Sequence, residues 1–184
     1  MLWLIILLVI VLVAVLAGVV MYNGLIRSKN QVENAWSQID VQLKRRLDLI
    51  PNLVETVKGY AAHERETLEQ VINARNAAIA APDTPEGQAE PNNMLAGALG
   101  KLFALSEAYP DLKANQNYLA LQEELTATEG RVAYARQFYN DSVLGYNNKI
   151  ESVPTVFVAK ALGYSQREYF EADESARTAP NLEF

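Results

Sequence analysis

The stretch QIDVQLKRRLDLIPNLVETVKGY, residues 38–60, decides how the rest of the chain is read. Its apolar residues extend a stripe of Val32, Trp36, Ile39, Leu43, Leu47, Ile50, Val54 and Val57. Steps of three and four keep these side chains on one face of a helix. The stripe passes Pro51 without losing phase. Proline lacks an N–H and crowds the carbonyl of Leu47, at a cost of about 3 kcal/mol in a regular helix interior. Packing of Leu47, Ile50 and Val54 has to offset that cost, so a helix kinked at Pro51 is expected rather than a break. The stripe fades through Ala61, Leu68, Val71, Ile72 and Ile79, where Glu64 and Arg75 interrupt it.

Toward the N-terminus the chain changes character. LWLIILLVIVLVAVLAGVVM, residues 2–21, has no charged residue. Twenty residues at about 1.5 Å each make about 30 Å, the thickness of a bilayer's hydrocarbon core. Trp3 and Tyr22 bracket the run, where amphipathic rings favour the headgroup level. A cleaved signal peptide would carry a basic n-region and a shorter apolar core. Nothing basic precedes this run, and it continues past the small residue Ala17, so residues 1–24 are expected to be an uncleaved transmembrane anchor. Within it, Ala14 and Gly18 form a small-xxx-small pair of the kind that lets membrane helices approach closely. MYNGLIRSKN, residues 21–30, has no strong stop signal, and anchor and first long helix are expected to be nearly continuous.

Every charge lies beyond the anchor, so residues 25–184 carry the whole net charge of -6. An acidic domain does not suit a nucleic-acid partner. Arg27 and Lys29 follow the span and no Lys or Arg precedes it, which by the positive-inside rule places the following domain in the cytoplasm. The chain has no cysteine and hence no disulfide.

APDTPEGQAEP, residues 81–91, has the composition of a loop. A short helix is expected around Met94, Leu95, Leu99, Leu102, Phe103 and Leu105. Tyr109-Pro110-Asp111 ends it, with Asp111 the candidate N-cap of a second long helix over residues 112–150. Ser152-Val153-Pro154 stops that helix. A last short one runs over residues 155–162 to Gly163, a natural C-terminal cap. Strand alternation is absent. The reading is an all-α fold: one transmembrane helix, a bundle of two long and two short helices over residues 25–172, and an acidic tail at 173–184.

Catalytic constellations do not emerge. The single histidine, His63, sits among charged residues in AAHERETLEQ, and threonine at position 67 rules out a His-Glu-x-x-His pair. The Gly97–Gly100 pair lacks the lysine of a phosphate loop. No enzyme activity, cofactor or metal is expected. The triplet Lys44-Arg45-Arg46 stands about 35 Å beyond the membrane edge on a continuous helix, outside the reach of the lipid surface potential. Local pairing with Asp40 and Asp48 on a solvated face is expected for it. Asn34, Asn52, Asn73, Asn140, Asn147 and Asn148 lie on helices that would prefer other residues. Periodicity does not say whether they are inside, where asparagine sets register, or outside.

The segments QVENAWSQIDVQLKRRLDLIPNLVETVKGYAAHE, YPDLKANQNYLALQEEL, TEGRVAYARQFYNDSVLGYN and ALGYSQREYFEA resemble the LemA family. The resemblance implies a bacterial inner-membrane protein with an N-terminal membrane helix and a four-helix bundle. It assigns no catalytic residues. One relative helps in forming magnetosome membranes, which points toward membrane organisation. The expected function is a non-enzymatic membrane-anchored scaffold, homo-oligomeric or recruiting a protein partner, with a candidate contact face at Trp36, Lys44, Arg45, Arg46 and Asn52. A signalling or sensory module hinged at Pro51 is the alternative.

Overall fold

The computed structural model describes residues 1–170; the expected domain end at 172 and the tail at 173–184 lie outside the described residues. The fold is all-α. Its helices are α1 (Leu2–Lys58), α2 (Arg65–Ala80), α3 (Pro85–Ser106), α4 (Pro110–Lys113), α5 (Gln116–Glu151) and α6 (Thr155–Ala161).

Helix α1 runs unbroken for 57 residues, through Asn23-Gly24 and through Pro51. Its first part is exposed along the apolar run, and burial begins at Leu25. From there the buried positions are Leu25, Val32, Ala35, Ile39, Leu43, Arg46, Ile50, Leu53 and Val57. The seam therefore turns slightly from the expected stripe: Arg46 and Leu53 point inward where Leu47 and Val54 were expected, and both of these leucine and valine side chains pack at its edge.

Antiparallel α5 lies along α1, while α2 and α3 form a hairpin over the distal half. Two apolar cores result. The distal core joins Ile50, Leu53 and Val57 to Leu68, Val71, Leu95, Leu102, Leu112 and Leu125. The proximal core, nearer the anchor, joins Leu25, Ile39 and Leu43 to Val132, Tyr139, Val143, Tyr146, Ala159 and Phe170.

The helix inventory differs from the sequence reading in three places. The weak continuation of the first stripe is a separate helix, α2, after a turn at Gly59–Glu64. The expected loop 81–91 is mostly helix: Pro85 sits in the first turn, where its missing N–H costs nothing, and the Thr84 hydroxyl accepts from Gly87 N at 3.1 Å. Pro91 is accommodated inside α3. The cap of α5 is Asn115, whose side-chain oxygen accepts from Tyr118 N at 3.0 Å; Asp111 instead belongs to the four-residue α4. Gly163 does end α6, with φ of 72° in the region glycine enters without strain.

Candidate interaction sites

Pro51 removes the donor that would serve the carbonyl of Leu47. That carbonyl is taken by Arg75, whose Nε–H donates to it at 2.9 Å from α2. The residue that interrupts the apolar stripe thus replaces the bond the proline deletes. Pro51 itself is exposed. The arrangement fixes α2 against α1 by a backbone acceptor available only because proline stands at position 51.

Arg46 is only 2 % exposed, which corrects its placement on a solvated face. It occupies a seam position between Leu43 and Ile50. Its guanidinium donates to Glu129 Oε2 at 2.6 Å, to the carbonyl of Asn92 at 3.4 Å, and to Asn92 Oδ1. Asn92 in turn donates to the carbonyl and the side-chain oxygen of Gln88, both at 2.8 Å. With buried Thr128, these groups form a polar layer between the two apolar cores. Burial lowers the pKa of the neighbouring Arg136 from its ordinary value, Glu129 opposes the shift, and Arg46 adds to it. The step Ile39, Leu43, Arg46, Ile50 was visible in the sequence; Leu47 offered an apolar alternative one residue away and masked it.

The other triplet residues behave differently. Arg45 reaches across to Glu124 of α5 at 2.6 Å, and Lys44 and Asp48 stay exposed. The ion pairs of the triplet thus run between helices rather than to Asp40 and Asp48. Asn52 is exposed, with its carbonyl accepting from Thr56 Oγ1 at 2.8 Å. Trp36 is half-buried, edge-on to Tyr139 at 5.7 Å and beside Phe170 at 5.9 Å, with its indole N–H donating to Asp83 at 3.3 Å. The five residues do not form one face. In the anchor Ala14 is exposed, and a Cβ added at Gly18 would meet open space. His63 is exposed in the turn before α2.

Sequence reasoning missed a clamp on α5. Residues 164–170 run extended and antiparallel to α5. Asn147 Nδ2 donates to the Arg167 carbonyl at 2.9 Å, and its oxygen accepts from Arg167 N at 2.9 Å. Asn140 repeats the pattern on Phe170, at 3.1 and 2.9 Å. Tyr146 and Tyr139 donate to the carbonyls of Ser165 and Glu168, at 3.0 and 2.9 Å. The register is geometric: seven helical residues rise about 10.5 Å, and three extended residues span about 10 Å. Phe170 is fully buried, with the Arg136 guanidinium 4.6 Å from its ring centroid. Tyr-Asn recurs seven residues apart at 139–140 and 146–147, and that repeat was the available signal.

A further groove runs between α1 and α5, lined by Ser37, Gln38, Val41, Ala127, Gly130 and Tyr134. Val41 and Tyr134 are 59 % and 73 % exposed over small residues.

An apolar helix long enough to cross a membrane, continuous with an all-helical domain closed by an asparagine-clamped strap, defines a helical module with one candidate membrane span. The LemA family model matches residues 35–184, and the chain belongs to the LemA family. It is 29 % identical over 155 residues to Protein LemA of Metamycoplasma hominis, covering 84 % of this chain and 71 % of the relative. It is 26 % identical over 192 residues to Magnetosome protein MamQ 2 of Paramagnetospirillum magneticum, covering 90 % and 71 %. With Magnetosome protein MamQ of Magnetospirillum gryphiswaldense the identity is 26 % over 174 residues, covering 81 % and 64 %.

Proposed function

We propose that this chain is a non-enzymatic, single-pass protein of the bacterial inner membrane whose helical domain is an assembly scaffold, self-associating in the bilayer plane and organising membrane or recruiting protein partners. The observation that carries this reading is the unbroken α1: one helix serves as candidate span and as the central element of the domain. Such a rod sets the domain of every copy at the same distance from the bilayer, which favours lateral contacts between copies. Relatives named as magnetosome proteins support a role in membrane organisation. Arg27 and Lys29 beyond the span support a cytoplasmic domain.

Trp36 and Arg46 are engaged within the domain, so the contact face moves to the Val41–Tyr134 groove, where an aromatic stands beside a floor of Ala127 and Gly130. The small pair Ala14 and Gly18 supplies a second contact within the bilayer. Light scattering of the full chain in detergent tests the reading. The expected mass is a multiple of 20.4 kDa that falls on Tyr134→Glu or Gly18→Leu substitution. A strict monomer at high concentration overturns self-association.

A further inference from the structure

Helices α1 and α5 run antiparallel, and two contacts set their register at the membrane end. Gln31 donates to Ser142, and Lys149 Nζ donates to the Gly24 carbonyl at 3.0 Å and to Ser28 Oγ at 2.8 Å. Between the contacts Gln31–Ser142 and Gly24–Lys149 both helices advance by seven residues, so the pairing moves one residue up for one residue down. Continued to the last residue of α5, this register sets Glu151 level with Tyr22, at the end of the apolar run of α1, and Val153 follows in the turn. The turn after α5, and α6 behind it, therefore lie at the level where the hydrocarbon core ends.

What the chain presents there is apolar and uncovered. Ala159 is buried against the proximal core and holds α6 to the domain. Phe157 on α6 is 69 % exposed, and beside the two ends of the helix Val153 is 77 % and Leu162 51 % exposed. Phe157 and the exposed Ala161 stand four residues apart on α6 and share one face of it, with Val153 in the turn that leads into the helix. Lys160 on α6 and Arg27 on α1 are exposed and suit anionic headgroups; Glu151 is exposed and opposes them. Tyr22, 45 % exposed, marks the same level on α1.

We propose that this segment is an interfacial foot: Val153, Phe157 and Leu162 enter the headgroup–acyl boundary of the same bilayer that α1 crosses. The proposal rests on the membrane reading of residues 2–21 and adds a second point of membrane contact to it. A span alone lets the rod tilt and turn about its axis. A foot to one side of α1 fixes both, and so sets which face of the domain meets a neighbouring copy.

The absence of cysteine allows clean single labels on the full chain. Nitroxides at Val153→Cys and Phe157→Cys in phosphatidylcholine–phosphatidylglycerol liposomes are compared with Val11→Cys in the span and Glu55→Cys on the exposed side of distal α1. The collision rates with oxygen and with a water-soluble nickel chelate are measured at each. Positions 153 and 157 are expected to match position 11, with oxygen access high and nickel access lost, while position 55 shows the inverse. Labels at 153 and 157 that behave as at 55, beside a protected position 11, overturn the foot and leave the anchor standing. Nickel access at position 11 overturns the anchor reading and the foot with it.

Discussion

The replacement of a proline-deleted bond by Arg75 gives a coupling that can be measured. The guanidinium of Arg75 donates to the Leu47 carbonyl at 2.9 Å, and both residues are half-buried. A hydrogen bond to a charged group is worth about 1.5–3 kcal/mol, and partial exposure puts this one at the low end. Arg75→Met keeps the apolar stem and deletes the donor, so in the native background it should cost about 1.5 kcal/mol. In a Pro51→Ala background the substituted residue supplies a backbone N–H to the same carbonyl. The loss of Arg75 should then cost about 0.5 kcal/mol, a coupling of about 1 kcal/mol. Pro51→Ala alone should leave the fold intact. Its gain should fall well short of the about 3 kcal/mol proline penalty, because the carbonyl is already satisfied. Urea unfolding of the full chain in detergent, followed by far-UV circular dichroism for all four variants, reads the cycle. Additive costs, or a collapsed Pro51→Ala protein, would refute the reasoning.

Other expectations follow from the same structure. Glu129→Ala strands the Arg46 charge inside the polar layer and should cost about 3 kcal/mol, whereas Arg46→Met removes the charge altogether and should cost less, as paired chemical denaturation will show. Asn140→Ala and Asn147→Ala each lose two bonds to the strap at about 1 kcal/mol apiece, and hydrogen exchange of residues 164–170 should quicken in both. Burial raises the Tyr139 and Tyr146 hydroxyls above 10.0. Their contribution is complete below pH 10.0 and is lost as pH rises through the elevated folded values, so strap protection should fall on the alkaline side and stay flat under mild acid.

The periodic parts of this fold were legible because a three-and-four spacing has one physical meaning. That logic located α5 and the passage through Pro51, while the Pro154 and Gly163 signals bounded α6. It failed where composition and position compete. Residues 81–91 have a loop's composition, yet a threonine cap followed by proline in the first turn starts a helix there. Arg46 shows a second limit: a charge at a seam position is assigned outward unless its partners are known, and Glu129 and Asn92 lie far along the chain. The strap lacked any apolar period, and its recognition is by backbone. Only the doubled Tyr-Asn pair marked it. Trp36 was placed correctly on the stripe, but its partners Tyr139 and Phe170 come from the other end of the sequence.

The proposed function depends on α1 being one rod from the candidate span to the distal core. Nitroxide labels at Tyr22→Cys and Glu55→Cys in the full chain, reconstituted in nanodiscs, place a spin pair across Gly24 and Pro51. A continuous helix between them spans about 50 Å at 1.5 Å per residue. Pulsed dipolar spectroscopy should return a single narrow distribution near that length, and a broad or markedly shorter one would contradict a rigid coupling of anchor to domain.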